Sequence, residues 1–439
     1  MKIALISLGC PKNQVDADVM AHALLEAGHT TVAAVQEADC VLINTCGFIE
    51  SAKQEAIDTI LEACSHKAQN PALKVVVTGC LAERYKEEIR KEMPEVDAVV
   101  GIGSNTAIVS ILARLAQGEA GIESYGPKAA LPLSGRRVIS TPHHYAYLKI
   151  AEGCSNCCTY CAIPLIRGPL RSRTVESCVA EARWLAGEGV KELIVVAQDI
   201  TAFGADRGKV EVARLLDELN KVEGIAWIRL LYAYPERITD EFVAAMVRND
   251  KVLHYLDVPI QHIDSDVLRA MNRKGDEGTV RAALEKLRAA MPDITLRTTL
   301  ITGFPGETPA QFEKLCTFVR EQGFARLGCF AYSQEEGTKA AGMPQMPMEV
   351  REQRAEAVMR IQTDIMAARQ AALVGTQAQV LCDGRDEENG LWLCRTRSDA
   401  PDIDAVVCVE GNAALTPGEF YTVRIIDSDI YDLYATLAE

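Results

Sequence analysis

The chain has 439 residues, of which 48% are hydrophobic and 24% are charged, and its formal net charge is −15. This composition is typical of a folded protein of two or three domains and excludes a disordered chain. The negative charge argues against a surface that binds nucleic acid directly and suits a basic protein partner. No apolar run reaches the length of a membrane helix, and the opening segment is too short for a signal peptide, so we expect a cytoplasmic protein that does not associate with membranes.

Three apolar, β-rich runs near the start of the chain each lead into a cysteine. The cysteines are Cys10, Cys46 and Cys80. Helical patterns separate the runs, which predicts an open parallel α/β domain over residues 1–117. The predicted strands are Ile3–Leu8, Val41–Asn44, Val75–Thr78 and Val96–Val100. Because parallel strands end at one edge of a sheet, we expect the three thiols to converge in a metal cluster site. Ordinary buried thiols are the alternative.

Residues 118–139 are rich in glycine, proline and serine and lack a steady periodicity. This pattern predicts a linker between two domains.

A second set of cysteines, Cys154, Cys158 and Cys161, stands in C-x3-C-x2-C spacing, with Tyr160 before the last of them. Three thiolates can hold three irons of a 4Fe–4S cluster and leave the fourth iron open for a small molecule. The alternatives are a zinc site, although it needs a fourth ligand, and a cluster of buried thiols. The spacing and the aromatic residue resemble those of the radical S-adenosylmethionine enzymes.

Alternating strand and helix patterns over residues 140–372 predict a partial (β/α)6 barrel of the TIM type, with the cysteine loop at its mouth. The predicted strands are Tyr145–Ile150, Glu192–Ala197, Trp227–Tyr232, Tyr255–Pro259, Thr295–Ile301 and Leu327–Tyr332. Gln198, Gly303 and Gly306 follow strands and, with Tyr160, are candidates to bind S-adenosylmethionine. Gly303 and Gly306 also fit an ordinary turn.

Arg167, Arg171 and Arg173 follow the cysteine loop. They could face anionic cluster sulfur or a carboxylate substrate, or they could form a solvated basic surface, and the sequence leaves these interpretations open.

Short β runs after residue 373 predict a small all-β barrel over residues 373–439. The runs are Gln377–Cys382, Gly390–Thr396, Ala405–Val409 and Phe420–Ile426. From Gly375 onwards there are thirteen acidic and four basic residues, a net charge of −9. Such a surface would repel RNA and attract a basic protein, so we expect a recognition module for a basic partner. A surface that merely aids solubility is the alternative.

The motifs G-C-P-K-N (Gly9–Asn13) and N-T-C-G-F-I (Asn44–Ile49), with the cysteine loop and the terminal β module, resemble those of the methylthiotransferases over essentially the whole chain. That family joins a cluster-binding domain, a radical S-adenosylmethionine barrel and a terminal TRAM domain. Three further motifs are similar to the branch that modifies an aspartate of the twelfth small-subunit ribosomal protein. They are Ile163–Arg173, Tyr232–Glu236 and Asp257–His262.

The resemblance implies two 4Fe–4S clusters, with Cys10, Cys46 and Cys80 holding the first. Cys154, Cys158 and Cys161 would hold the second, which binds S-adenosylmethionine. It also implies that S-adenosylmethionine is both methyl donor and radical source, that a methylthio group is added to the aspartate β-carbon, and that flavodoxin or ferredoxin supplies electrons. No side-chain acid or base is required.

Two positions depart from the family pattern, since Cys157 stands where a polar or basic residue is expected and Gln334 where proline is commoner. Two other functions stay open. One is the tRNA adenosine methylthiotransferase of a related branch, and the other is a non-catalytic iron–sulfur or zinc scaffold.

Overall fold

The computed structural model describes residues 1–410 and 414–438. The predicted C-terminal domain extends over residues 411–413 and Glu439, which lie outside the described residues. The strands in chain order are β1 (Lys2–Ser7), β2 (Thr30–Thr31), β3 (Cys40–Thr45), β4 (Lys74–Gly79), β5 (Ala98–Val100), β6 (Ile122–Ser124), β7 (Tyr145–Lys149), β8 (Ala151–Glu152), β9 (Arg171–Ser172), β10 (Glu192–Val196), β11 (Trp227–Leu230), β12 (Val252–Asp257), β13 (Thr295–Thr302), β14 (Arg326–Ala331), β15 (Gln377–Asp386), β16 (Leu391–Thr396), β17 (Val407–Glu410), β18 (Phe420–Ser428) and β19 (Leu433–Leu437).

The α-helices in chain order are α1 (Pro11–Glu26), α2 (Glu50–Ser65), α3 (Cys80–Arg84), α4 (Lys86–Glu92), α5 (Ile108–Ala116), α6 (Ile163–Arg167), α7 (Val175–Gly187), α8 (Val212–Leu219), α9 (Asp240–Arg248), α10 (Ser265–Ala270), α11 (Glu277–Ala290), α12 (Pro309–Gln322) and α13 (Met348–Ala371). In the described part of the chain, none of these helices is both long and apolar enough to cross a membrane.

The chain divides into two compact units. The first unit comprises Met1–Ser140, Ala151–Arg173 and Ser333–Thr338. The second comprises Thr141–Ile150, Thr174–Tyr332 and Lys339–Glu439. The cysteine loop that follows β8 therefore belongs to the same unit as the first sheet.

The first unit contains a parallel sheet in the order β2-β1-β3-β4-β5-β6, which confirms the predicted open α/β fold. Its central strands are continuous apolar runs because helices cover both faces, as in other parallel sheets. All six residues of β3 are buried. The carboxyl ends of β1, β3 and β4 lie next to one another at one edge.

The two edge strands of this sheet, β2 and β6, were not predicted. Strand β6 pairs with β5 and lies inside residues 118–139, the range predicted as a linker. With three residues, this strand is too short to show an alternating pattern. Its pairing with β5 depends on a neighbour more than twenty residues earlier in the chain.

The second unit contains six parallel strands in the order β14-β13-β12-β11-β10-β7. Each corresponds to one of the six predicted strands, and the intervening helices make an open (β/α)6 arrangement. The partial barrel is thus confirmed. Strands β8 and β9, which flank the cysteine loop, pair with each other in the first unit instead.

The C-terminal strands form a closed barrel in the order β15-β16-β17-β19-β18, which confirms the predicted small all-β module. The sequence did not predict β19, which pairs parallel with β17 and antiparallel with β18. It closes the barrel around a core that includes Val380, Val407, Val423 and Ala435.

A buried ion network joins the small barrel to the starts of the central strands within the second unit. Arg395 of β16 donates to Glu192 of β10 at 2.7 Å and to Asp383 of β15 at 2.7 Å. Arg229 of β11 donates to the other oxygen of Glu192 at 2.7 Å, and His144 Nε2 lies 2.8 Å from Asp383. Although burial opposes ionisation, the two arginines hold the pKa of Glu192 below its ordinary value.

Three further acidic side chains of the small barrel contact the central strands of the same unit. Asp399 forms an ion pair with Arg326, and Asp402 and Asp404 accept hydrogen bonds from the hydroxyls of Tyr145 and Tyr255. These carboxylates have partners within the fold. The negative charge of the module is therefore only partly available to a second molecule.

We predict that Arg395→Ala destabilises the second unit by about 3–5 kcal/mol, because it leaves Glu192 and Asp383 buried without their shared cation. All three tryptophans of the chain, Trp184, Trp227 and Trp392, belong to this unit. Tryptophan fluorescence during urea unfolding thus measures the stability of the second unit selectively.

Arg397→Ala is the matched control, because Arg397 is exposed and its backbone oxygen, not its side chain, accepts from Arg229. Its effect should stay within about 0.5 kcal/mol. Because the pKa values of Glu192 and Asp383 are lowered, their contribution is present above the ordinary carboxyl pKa of about 4 and is lost as the pH falls through the lowered values. If Arg395→Ala lowers the free energy of unfolding by as much at pH 3 as at pH 6, this explanation is wrong.

Candidate active site

The carboxyl ends of three neighbouring strands carry Cys10, Cys46 and Cys80. Cys10 lies directly before helix α1, Cys46 directly follows β3, and Cys80 is the first residue of α3. Cys46 and Cys80 are buried and Cys10 is half-buried. The first sheet thus brings together cysteines that are 70 residues apart in the sequence.

Glycines next to these cysteines let the three loops pack side by side. Gly9 has φ +91°, and a Cβ there would lie 2.7 Å from Cβ of Cys46 and 2.9 Å from its sulfur. A Cβ on Gly47 would lie 2.8 Å from Cα of Leu81, the residue after Cys80. Side chains at Gly9 and Gly47 would therefore force the cysteine loops apart.

Two buried asparagines lock the same loops to each other. Asn13 donates to the carbonyl oxygen of Leu8 at 2.8 Å and to that of Thr45 at 3.3 Å. Asn44 donates in turn to the carbonyl oxygen of Asn13 at 2.8 Å. Both belong to the motifs that carried the family resemblance, so the role of these motif residues is to hold the cysteine loops together.

The environment of Cys46 and Cys80 raises the pKa of both thiols and so favours their protonated form. Burial raises the pKa of Cys80 to about 12, the Arg167 guanidinium opposes that rise, and the thiols of Cys46 and Cys10 add to it. Burial also raises the pKa of Cys46, although hydrogen bonds from the backbone of Phe48 and Gly47 oppose that rise. A metal centre bound by these thiols would displace their protons, which couples binding to pH.

The second cysteine loop is closed at its base by the pairing of β8 with β9. Cys154 and Cys158 are buried and Cys161 is half-buried, whereas Cys157 is exposed and has a left-handed backbone with φ 54°. The backbone nitrogen of Cys154 donates to the oxygen of Gly168 at 3.1 Å, and the hydroxyl of Ser155 accepts from the backbone nitrogen of Leu170 at 3.1 Å. Exposure thus distinguishes Cys157 from the three predicted ligands.

Arg167 connects the second loop to the first set of cysteines. It ends helix α6, six residues after Cys161, and its side chain is 2% exposed. One nitrogen, Nη1, donates to Asp16 at 2.6 Å and to Glu152 at 3.0 Å. The other, Nη2, donates to Asn13 at 3.0 Å and to the sulfur of Cys80 at 3.3 Å. A solvated basic surface is therefore wrong for Arg167.

Helix α6 also packs directly on the first cysteine set. Ala162 and Ile166 form a small apolar cluster with Cys80. One short helix thus begins beside Cys161 and covers Cys80. The helix is thus close in sequence to the second cysteine set and in contact with Cys80 of the first.

The segment Ser333–Thr338 supplies a buried carboxylate that the sequence analysis missed. Glu335 accepts from Arg84 at 2.6 Å and from the hydroxyl of Ser333 at 2.6 Å. Arg84 also donates to the carbonyl oxygen of Gly47 at 3.1 Å. The loop that follows Cys46 is thereby tied to a residue almost 300 positions later, and no local pattern indicates that pairing.

The remaining candidates for contact with S-adenosylmethionine are distributed over both units. Tyr160 is half-buried in the first unit, and Gln198 is half-buried after β10 in the second. Gly303 has φ +67°, and a Cβ there would lie 2.5 Å from Cγ of Arg351 in helix α13, so packing alone explains this glycine. Gly306 is exposed with nothing within 4 Å of a Cβ. Their contacts with the cofactor remain predictions.

Over residues 1–410 and 414–438, no three or more His, Cys, Asp or Glu side chains are already arranged as a site for a metal ion. The six-cysteine ligand assignment therefore also remains a prediction.

Three family models match successive parts of the chain. They are described as uncharacterized protein family UPF0004 over residues 2–101, the radical SAM superfamily over residues 148–319 and the TRAM domain over residues 374–437.

Curated relatives are similar to the chain over its whole length. The ribosomal protein uS12 methylthiotransferase RimO of Acetivibrio thermocellus is 44% identical, with 98% of this chain and 97% of the relative covered. The protein of the same name from Clostridioides difficile is 45% identical, with 99% and 98% covered.

Solved structures with a similar fold are more distant in sequence. The radical S-adenosylmethionine methyltransferase TsrM from Kitasatospora setae has a TM-score of 0.55 at 13% identity, covering 75% of this chain and 72% of that one. The cobalamin-dependent S-adenosylmethionine radical enzyme OxsB has a TM-score of 0.53 at 11% identity, covering 82% and 56%. At such identities the likeness concerns the fold alone.

We predict that Gly9→Ala disrupts the first cysteine set without affecting the second, because the added Cβ would collide with Cys46. Anaerobic iron analysis after reconstitution should then find about four irons per chain instead of the about eight expected for two 4Fe–4S clusters.

Gly28→Ala is the matched control. Gly28 has φ +83°, similar to that of Gly9, but an added Cβ would meet nothing within 4 Å. It imposes the left-handed strain of about 1–2 kcal/mol without the collision. Equal iron contents in the two variants would show that the close contact between Gly9 and Cys46 is not needed for the first cysteine set to bind iron.

Proposed function

This chain belongs to the family of ribosomal protein uS12 methylthiotransferases named RimO, and on that premise we propose that it adds a methylthio group to the β-carbon of an aspartate in uS12. One observation carries the proposal beyond sequence similarity. Both three-cysteine sets lie in the same compact unit, joined by helix α6 and by the buried contacts of Arg167. A methylthio transfer needs a sulfur source and a radical source within reach of one substrate carbon.

Each set of cysteines suits a 4Fe–4S cluster with one open iron. Three thiols at strand ends or on one closed loop are the donors such a cluster takes, and a fourth cysteine would be needed for full ligation. Cys10, Cys46 and Cys80 would hold the first cluster, and Cys154, Cys158 and Cys161 the second. When bound, the second cluster with S-adenosylmethionine supplies the radical that activates the aspartate C–H bond, and the first supplies sulfur.

The residues of the chain position these groups and keep water away from them. Gly9 and Gly47 allow the cysteine loops to approach each other, and Asn13 and Asn44 hold them in place. Ala162 and Ile166 cover Cys80 with apolar surface. A hydrogen atom on a β-carbon is not acidic enough for a side-chain base, so no catalytic acid or base is needed. We assign Tyr160, Gln198, Gly303 and Gly306 to S-adenosylmethionine as part of the proposal.

We propose a separate role for each predicted domain. Residues 1–117 hold the first cluster, residues 118–139 link them to the core, residues 140–372 hold the second cluster, and residues 373–439 recognise the substrate. The hairpin between β15 and β16 carries exposed Glu387 and Glu388, which suit a basic ribosomal protein. A flavodoxin or ferredoxin in the cytoplasm would supply the electrons.

The decisive experiment offers the reconstituted enzyme, with dithionite and S-adenosylmethionine, either uS12 or tRNA. We expect mass spectrometry to find one added methylthio group on an aspartate of uS12 and none on tRNA. If the methylthio group is found on tRNA alone, the substrate is an adenosine of tRNA and the proposal of uS12 is wrong. Zinc without iron in the purified protein would indicate a scaffold instead of a radical enzyme.

Two cysteines of the second loop provide a matched pair of variants. Cys154→Ala removes a buried proposed ligand and should abolish reductive cleavage of S-adenosylmethionine, measured as the release of 5′-deoxyadenosine. Cys157→Ala changes an exposed thiol and should leave both cleavage and iron content intact. Loss of iron in Cys157→Ala would mean that this thiol is a ligand and that the assignment of the loop is wrong.

A further inference from the structure

Arg167 makes an unusual set of contacts for a residue that follows a cysteine loop. Its guanidinium contacts two carboxylates, of Asp16 and Glu152, on one nitrogen. The other nitrogen contacts the amide oxygen of Asn13 and the sulfur of Cys80. Each of these four partners is itself buried. An arginine fork is rigid and planar, so four partners on two nitrogens define its position closely.

The partners of Arg167 belong to the segments that carry the two cysteine sets. Asn13 and Asp16 belong to the first turns of α1, directly after Cys10, and Cys80 is itself a proposed ligand of the first cluster. Glu152 lies two residues before Cys154, and Arg167 lies six residues after Cys161. A single side chain therefore contacts the elements that carry both cysteine sets.

Arg171, in the same segment, has a different set of partners. The guanidinium of Arg171 donates to the backbone carbonyl oxygens of Lys128, Ala129 and Leu131. It holds a loop in place and, within the part of the chain that the structure describes, makes no hydrogen bond to a cysteine. The two arginines are alike in chemistry and differ in whether they reach a thiol.

Resting on the proposed function, we infer that Arg167 is a positioning residue of the first cluster, which orients the sulfur of Cys80 by a hydrogen bond and raises the reduction potential of that cluster. Hydrogen bonds to the sulfurs and the net charge around an iron–sulfur cluster are among the factors that set its potential. Reduction adds negative charge, so a buried cation at 3.3 Å from a ligand sulfur stabilises the reduced form more than the oxidised form.

The test isolates the first cluster in a full-length chain in which Cys154, Cys158 and Cys161 are all changed to alanine. This background should bind about four irons per chain. Arg167→Gln, Arg167→Lys and Arg171→Gln are then introduced separately, and the midpoint potential of the cluster is measured by a redox titration followed by electron paramagnetic resonance. Tryptophan fluorescence, which reports the second unit, checks that the remainder of the chain stays folded.

We expect Arg167→Gln to shift the midpoint potential to more negative values, because it removes the charge. Arg167→Lys, which keeps the charge but not the fork, should shift it less in the same direction, and Arg171→Gln should leave it unchanged. Loss of the cluster in Arg167→Gln alone also supports the positioning role. A potential in Arg167→Gln equal to that of the background overturns the inference.

An equal shift in Arg171→Gln, or loss of the cluster in all three variants, likewise overturns the inference, since the effect would then belong to the loop as a whole. A background protein that binds no iron contradicts the proposed first cluster itself and is thereby distinguished from a failure of the role of Arg167.

Discussion

The buried guanidinium of Arg167 is the interaction on which the proposed active site depends. A charge with 2% exposure is stable inside a protein only when ionised and polar partners surround it. Burial by itself would lower the pKa of Arg167, but the thiol of Cys80 and the carboxylates of Glu152 and Asp16 hold it well above the ordinary value. Those partners come from three separate segments of the chain. Satisfying one cation thus requires that the segments carrying both cysteine sets fold together.

The second unit also contains buried arginines paired with buried carboxylates, and there they connect the small barrel to the central strands. Arg395 and Arg229 surround the buried carboxylate of Glu192, and Arg395 extends the network to Asp383 of the small barrel. Such pairs contribute little net stability compared with apolar packing, but breaking one is costly. They therefore favour a single arrangement of the small barrel against the central strands. One consequence is that Asp383, Asp399, Asp402 and Asp404 have partners within the fold, so the proposed recognition of a basic partner would depend on the other acidic residues of that barrel.

Sequence reasoning identified the strands that carry the chemistry because apolar runs and their alternation with helices are local signals. It missed β2, β6 and β19, which are short or at sheet edges and which form only when a distant partner is present. It anticipated that Cys10, Cys46 and Cys80 would approach one another, since the rule that parallel strands end at one edge needs no contact information. For Gly303 it predicted contact with a ligand, whereas the close approach of Arg351 already explains why this position has no side chain.

The sequence by itself determined the family, the three-part architecture and the two sets of cysteines, because each of these is recorded in residue types at fixed spacing. Only the tertiary structure decided what Arg167, Asn13 and Glu335 do. Their hydrogen-bond partners lie up to 251 residues away, and Arg167 and Arg171, identical and four positions apart, differ only in what folding brings beside them. The sequence gives the charge of a side chain, but only the folded structure shows which partner makes the burial of that charge favourable.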